Sequence, residues 1–183
     1  IDTVFNAQGG VGALTPAISG LIMPKLSLGV AVNFYTDEFF DDYAWKETIK
    51  HTSVGNSGTN SFTETTNTEL TYKNFQAVSA AIGVLWDVWE KEDKLLTFGA
   101  VYKTPYTAGL DRITESEAEL HMLGGLAKKN LRNREHFETV YPMSFGAGLG
   151  FRYNDALSFS SDVTWTDWSE WKQTDENGVT VTP

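Results

Sequence analysis

The stretch "LSLGVAVNFY", residues 26 to 35, decides the fold of this chain. Apolar side chains occupy every second position, namely Leu26, Leu28, Val30, Val32 and Phe34, and between them stand Ser27, Gly29, Ala31, Asn33 and Tyr35. This alternation predicts a strand with one apolar face and one face of small or polar side chains. A run of 10 residues is also the length that a tilted strand needs to cross a bilayer.

The same alternation recurs along the chain. It is clear in residues 77–89, 96–105, 143–153 and 157–165, and weaker in residues 11–20, where Pro16 interrupts it. We therefore expect an all-β fold, an antiparallel meander of about six strands. The residues expected to share its apolar face are Leu28, Val30, Val32, Ile82, Val84, Phe98, Leu149 and Phe159.

The connections alternate in length. The links at residues 21–25, 90–93 and 154–155 are short, whereas 37–72 and 106–141 are long. Outer-membrane barrels have this asymmetry, with short periplasmic turns and long extracellular loops. Within the long connections, residues 37–50 are interpreted as one amphipathic helix. Residues 119–133 are interpreted as a possible short helix, weakened by Gly124 and Gly125.

Three tryptophans recur at every third position in "DVTWTDWSEW", residues 162 to 171. On a continuing strand, Trp165 and Trp171 would share one face and Trp168 would take the other. Tryptophan concentrates where a membrane meets water, because its ring is apolar and its N–H is polar. We interpret the motif as an aromatic girdle, with Trp86 and Trp89 at the opposite end of their strand.

Composition excludes several classes of function. The chain has no cysteine, so it has no disulfide and no cysteine-ligated metal. Its formal net charge of −10, without a basic stripe, argues against nucleic-acid binding. The three histidines have neither metal-ligand spacing nor a nucleophile partner, so we expect no enzyme, no cofactor and no metal site. Periodicity alone leaves a soluble β-sandwich open as an alternative.

Several stretches in order resemble the FadL/TodX family of outer-membrane transporters for long-chain fatty acids and aromatic hydrocarbons. They are "LTPAISGLIMPKLSLGVAVNFY", "AAIGVLWDVWEKEDKLLTFGAVYKTP" and "YPMSFGAGLGFRYNDALSFSSDVTWTDWSEW". In the second, Tyr102-Lys103-Thr104-Pro105 stands where the family usually has Tyr-Arg-Ser-Pro. The resemblance covers about residues 9 to 171.

The resemblance implies a monomeric transmembrane barrel of 14 strands, within the known range of such barrels. An N-terminal hatch plugs that barrel, and the substrate leaves sideways into the membrane without ATP or an ion gradient. We expect residues 1–183 to form part of the barrel domain, with the hatch and the remaining strands outside this chain. The expected partners are a hydrophobic small molecule, the lipid bilayer and lipopolysaccharide, in the outer membrane of a Gram-negative bacterium.

Four candidate substrate-binding residues lie on the small-residue face, which would be the lumen: Leu85, Val101, Lys103 and Arg152. The two cations would pair with a fatty-acid carboxylate; the alternative is pairing with Asp87 or Asp162. Leu85 and Val101 would line a hydrocarbon pocket; the alternative is packing against the hatch.

The long connections contain further apolar candidates for a substrate-binding groove. They are Phe39, Phe40, Trp45, Leu120, Met122, Leu123 and Leu126. The alternative for these is packing of each loop on itself. The carboxylates Asp37, Glu38, Asp41 and Asp42 are interpreted as a solvated acidic loop, with a divalent-cation site as the alternative.

The predicted function is therefore a passive outer-membrane channel for uptake of long-chain fatty acids or of aromatic or aliphatic hydrocarbons. Two other classes stay open at this point. One is an outer-membrane porin or adhesin of a different family. The other is a soluble carbohydrate-binding β-module that uses its tryptophans as sugar platforms.

Overall fold

The computed structural model describes residues 1–38, 44–57, 60–122, 125–154 and 156–183, and these are strands almost throughout. The strands are β1 (Asp2–Gln8), β2 (Gly12–Leu14), β3 (Ala17–Met23), β4 (Leu26–Thr36), β5 (Trp45–Ser57), β6 (Asn60–Lys91), β7 (Lys94–Lys103), β8 (Tyr106–Met122), β9 (Gly125–Tyr141), β10 (Ser144–Tyr153), β11 (Leu157–Thr166), β12 (Lys172–Asp175) and β13 (Thr180–Val181), with a 3-10 turn at Trp168–Glu170. No helix among these residues has the length and apolar character needed to cross a bilayer.

The strands join end to end into six paths that lie side by side. The paths are β1 to β3, β4 with β5, β6 alone, β7 with β8, β9 with β10, and β11 with β12, while β13 turns back along β12. Every path pairs antiparallel with the paths before and after it in the sequence. The predicted all-β meander of six strands is confirmed, and the described residues leave its sheet open.

The predicted helices are wrong. Residues from Trp45 onward form β5, and the described part of 119–133 belongs to β8 and β9, which pair residue by residue. Residues 39–43 and 123–124 lie outside the described residues. The reason is cross-strand pairing. Residues 45–50 pair with residues 67–72 of β6, and residues 119–122 pair with residues 125–128, so their backbone N–H and C=O groups bond to neighbouring strands rather than within a helix.

The long connections are thus two tall hairpins that extend the sheet. β5 pairs with residues 60–72 of β6, residues 62–77 of β6 pair with β8, and β1 lies outside β5. We call this part the hairpin sheet. We call β3, β4, residues 78–91 of β6, β7, β10 and β11 the wall.

The register confirms that the predicted apolar residues share one face, which we call face A. Val30 pairs with Ile82, Leu28 with Val84, and Phe98 with Leu149. Phe159 joins them through Phe151, which also lies on face A. The opposite face, which we call face B, carries the glycine, serine and alanine positions. None of the described residues covers the apolar part of face A, and Phe159 there is 69% exposed.

The tryptophans lie at the two ends of the apolar part of face A. Trp165 closes the apolar part of β11, and Trp86 stands at the other end of the wall. A bulge between Asp87 and Trp89 shifts the register, so Trp89 pairs with Leu96 and joins Trp86 on face A. The prediction for Trp168 is wrong, because the strand stops at Thr166 and Trp168 lies in the 3-10 turn, where the two-residue alternation no longer applies.

A single sheet with so few buried side chains is not a soluble sandwich. Among the described residues the buried apolar side chains are Ala44, Ala77, Ala108 and Ile113. A sandwich would cover its apolar face with a second sheet. Face A instead leaves its large apolar side chains exposed, among them Phe145, Phe159 and Val163.

Prolines and a bulge mark where the wall meets the hairpin sheet. Pro105 separates β7 from β8, and Pro142 separates β9 from β10. Beside Pro105, the Thr104 amide donates to the Ala80 carbonyl at 2.9 Å, and the Thr104 hydroxyl accepts from the Ala80 amide at 3.0 Å. Threonine therefore satisfies the ladder next to a residue that has no N–H to give.

In β6 the wall gives way to the hairpin sheet at Asn74, whose φ is +59°. The side-chain amide of Asn74 donates to the Asp111 carboxylate. That carboxylate also accepts from Arg134 at 2.7 Å and binds His136 at 2.8 Å. Partial burial acts to raise the pKa of Asp111, but these hydrogen bonds and the charge of Arg134 outweigh it and hold the pKa well below its usual range. The cluster ties β6, β8 and β9 together at the base of the hairpin sheet.

Replacing Val30 by Arg tests the direction of face A. Val30 lies in the middle of the apolar part of β4, so the change is expected to cost about 2–4 kcal/mol of folding free energy in a bilayer. Ala31→Arg is the matched control on face B and should cost far less. Denaturant titration of both variants in lipid vesicles measures the difference, and equal costs would contradict the orientation.

Replacing Asp111 by Asn tests the cluster at the base of the hairpins. We expect a loss of about 1–2 kcal/mol of local stability, since Arg134 is largely exposed and its pairing is screened. The wild-type contribution should be constant above about pH 4, the ordinary carboxyl pKa, and decline as the pH falls below it. Hydrogen exchange of β8 and β9 amides measures both effects. A variant with unchanged protection at pH 7 would show that the cluster adds no stability.

Candidate functional site

Two of the four candidate residues meet in a groove on face B of the wall. Val101 pairs with Gly83, and Leu85 pairs with Gly99. A Cβ on Gly99 would lie 3.5 Å from Leu85 Cδ1, and a Cβ on Gly146 would lie 3.1 Å from Val101 Cγ1. The glycines thus leave room beside both aliphatic side chains. The groove, with a volume of about 540 Å³, is lined in part by Leu85 and Val101.

The two candidate cations lie far apart. Lys103 follows Val101 on face B and pairs with Ser144, whereas Arg152 pairs with Leu95 near the short turns. Ser144 and Arg152 are eight residues apart on one strand, roughly 27 Å. Lys103 therefore belongs with Leu85 and Val101, and Arg152 does not.

Neither cation is neutralised within the described part of the chain. Among those residues no ion pair joins Lys103 or Arg152 to Asp87 or Asp162. Asp87 instead accepts a hydrogen bond from the Thr97 hydroxyl at 2.7 Å. Lys103 is exposed on face B with its charge available.

The candidates from the long connections are spread over the hairpin sheet. Trp45 lies at its base on face B, where its indole N–H donates to Glu47 at 2.9 Å. Leu120 and Met122 lie near the far tip, also on face B, and Leu126 lies on face A. Phe39, Phe40 and Leu123 lie outside the described residues, as do Asp41 and Asp42. Of the remaining carboxylates of that loop, Asp37 is buried and Glu38 is exposed.

A belt of tyrosines on face B was missed by the sequence analysis. The Tyr106 ring stacks on Tyr35 at 5.4 Å and on Tyr141 at 4.9 Å between ring centres. The rings fit above Ala77 and Ala108, which are 7% and 0% exposed. A signal was present, because Tyr106 directly follows Pro105 and Tyr141 directly precedes Pro142, at the ends of two predicted strands.

A second group lies above the belt on the same face. Arg112 donates to Glu135 at 3.1 and 2.6 Å, and its guanidinium lies 4.8 Å from the centre of the Phe137 ring. The hydrogen bond to Glu135 raises the pKa of Arg112. Tyr72 pairs with both Arg112 and Trp45, so aromatic rings continue across the base of the hairpin sheet. Nothing in the strand alternation distinguishes these residues from others on their face.

Together these residues follow one track along face B. It begins at Trp45, Tyr72 and Phe137, crosses the tyrosine belt, and reaches Lys103, Val101 and Leu85, with Tyr106 roughly 10 Å beyond Lys103. Such a surface suits apolar or amphipathic molecules that need contact area rather than many hydrogen bonds. No cluster of metal-ligating side chains occurs in the described part of the chain.

The comparisons with known proteins agree with this geometry. The family described as outer membrane protein transport protein (OMPP1/FadL/TodX) matches residues 10–181. Neither the search of curated proteins nor the search of solved structures found a match. The family match decides against the two other classes left open by the sequence, the unrelated porin or adhesin and the soluble carbohydrate module. The chain therefore belongs to the OMPP1/FadL/TodX family of outer membrane transport proteins, which act in the outer membrane of Gram-negative bacteria and carry hydrophobic substrates.

Proposed function

We propose that this chain forms part of a passive channel that takes up long-chain fatty acids or hydrocarbons and releases them sideways into the membrane. Face B lines the route and face A contacts lipid. The protein acts as a monomer in a bilayer whose outer leaflet contains lipopolysaccharide. The observation that carries the proposal is the face B track from Trp45 to Leu85, which lies opposite an apolar face A that none of the described residues covers.

The substrate first contacts the hairpin sheet. Trp45 offers an exposed ring at its base, and Leu120 and Met122 extend apolar surface toward the tip. Phe39, Phe40 and Leu123 complete the proposed set from these segments, whereas Leu126 lies on face A and does not line this route. Because the hairpin sheet and the wall share one continuous sheet, a molecule that slides along face B passes into the wall without crossing a gap.

The tyrosine belt forms the passage into the wall. Stacked rings present a rigid apolar surface, and the polar Asn33 and Ser79 below them satisfy each other at 2.9 Å. Beyond the belt, Lys103 is the first cation on the track, so a carboxylate would stop there with its chain against Val101 and Leu85. Arg152 would contact an anion only near the short turns.

The direction of the two faces predicts opposite effects of two substitutions on uptake. Leu85→Arg puts a charge on the proposed lumen side, where water relieves its burial, so folding should change little while hydrocarbon uptake falls sharply. Trp165→Ala removes a girdle ring on face A, so folding in the membrane should weaken modestly while uptake per folded molecule stays constant. Uptake of a labelled aromatic hydrocarbon, normalised to folded protein, measures both. The assignment of the faces fails if Trp165→Ala abolishes uptake and Leu85→Arg does not.

Lys103→Gln separates acidic substrates from neutral ones. A contact between this ammonium and a carboxylate is worth about 1.5 kcal/mol, so uptake of a fatty acid at limiting concentration should fall about tenfold. Uptake of an alkane of equal length should not change. Arg152→Gln is the matched control with the same loss of charge at the other end of face B. Equal losses for both substrates would show that Lys103 does not recognise the carboxylate.

A further inference from the structure

Face A becomes cationic directly beyond its apolar band. Strand register puts four basic side chains there, one on each of four paths: Lys46, Lys73, Arg134 and Lys172. We call this set the cationic rim. Lys73 pairs with Asp111, Lys172 pairs with Val140, and the row from Lys46 passes through Thr71 and Ile113 to Arg134.

Lys46, Lys73 and Lys172 occupy one layer of the membrane surface because the strands are tilted, whereas Arg134 lies further out, six residues beyond the Val140 that pairs with Lys172. The apolar band ends at Phe34 on β4, in register with Val78 of β6. On β11 the band ends at Trp165. Strand pairing connects Trp165 through Phe145 and Tyr102 to Ile82, which lies four residues after Val78 in β6. Barrel strands that tilt through a bilayer have this stagger. Lys172 therefore lies at the same height above the bilayer as Lys46 and Lys73, although the residue it pairs with, Val140, is nearer to the apolar band.

The charged side chains of face A are mostly basic near the apolar band and mostly acidic further from it. On the described strands the rim holds four basic side chains against two carboxylates, Asp111 and Glu138, and Arg134 already pairs with Asp111, in a chain whose net charge is −10. The carboxylates gather further out, at Glu69, Glu115, Glu117 and Glu119. There Arg132 pairs with Glu115 and Lys128 with Glu119. Within the described residues Lys46, Lys73 and Lys172 form no ion pair.

We propose that the cationic rim binds the phosphate groups of the outer-leaflet lipid, which is lipopolysaccharide. The proposal rests on the outward direction of face A and on no step of substrate transport. Ammonium and guanidinium groups bind phosphate by charge-assisted hydrogen bonds. A basic side chain beside a bilayer surface contributes about 1 kcal/mol toward anionic lipid. The rim spans four strand spacings, about 19 Å, which gives it room to contact more than one phosphate.

The test measures binding of lipid A to the protein in detergent micelles, with a chelator present so that divalent cations cannot bridge carboxylates to the lipid. Lys46→Gln/Lys73→Gln is expected to bind phosphorylated lipid A about 30-fold more weakly than wild type. Lys46→Arg/Lys73→Arg should retain binding. The matched control is Lys50→Gln/Lys129→Gln, which removes the same charge from the outer part of the hairpin sheet and should bind like wild type.

Two further binding measurements identify the ligand. Lipid A stripped of its phosphates should bind the wild type as weakly as phosphorylated lipid A binds the glutamine variant. Inorganic phosphate at the same concentration should not compete, because a free ion lacks the acyl chains that hold it against face A. The proposal is overturned if the control loses as much affinity as the rim variant, if the stripped lipid binds equally well, or if inorganic phosphate displaces the lipid. Hydrocarbon uptake by the rim variant should stay at the wild-type level, so this proposal and the proposed function fail separately.

Discussion

The structure depends on one constraint, the pairing of backbone N–H and C=O groups between neighbouring strands. An unpaired group in hydrocarbon costs several kcal/mol, so a sheet that crosses a bilayer must keep its ladder continuous. The ladder fixes the register, and the register sends alternate side chains to opposite faces. From that follow the apolar band, the tryptophans at both of its ends and the small-residue groove on face B. Where Pro105 would break the ladder, Thr104 repairs it.

Beyond the bilayer the same ladder of backbone hydrogen bonds continues in an aqueous environment. Water is available there, so both faces tolerate charge, and cross-strand ion pairs such as Arg112 with Glu135 replace apolar contacts. At that boundary Asn74 and the prolines interrupt the regular strands, and pairing resumes on both sides of them. The hairpin sheet is therefore an extension of the wall, and a molecule on face B meets one surface from the tip to the groove.

The sequence was sufficient for the wall because alternation is a local pattern. Residues 26–35 show it so clearly that strand, face and length followed from it. The hairpins were missed because their two faces are both polar, so "TETTNTELTY" has no apolar period to detect. The tyrosine belt and the Arg112 group depend on which strands pair across more than 20 positions, such as Tyr106 with Tyr141. That information lies in the register and not in either segment alone.

The central claim, that face A contacts lipid and face B contacts water, is most directly tested by site-directed labelling. The chain has no cysteine, so each introduced thiol is read without background. Val30→Cys and Ala31→Cys form one neighbouring pair, and Val84→Cys and Leu85→Cys form a second. In vesicles, a membrane-impermeant maleimide should label positions 31 and 85 and leave positions 30 and 84 unlabelled. Labelling of positions 30 and 84 with protection of 31 and 85 would contradict the account.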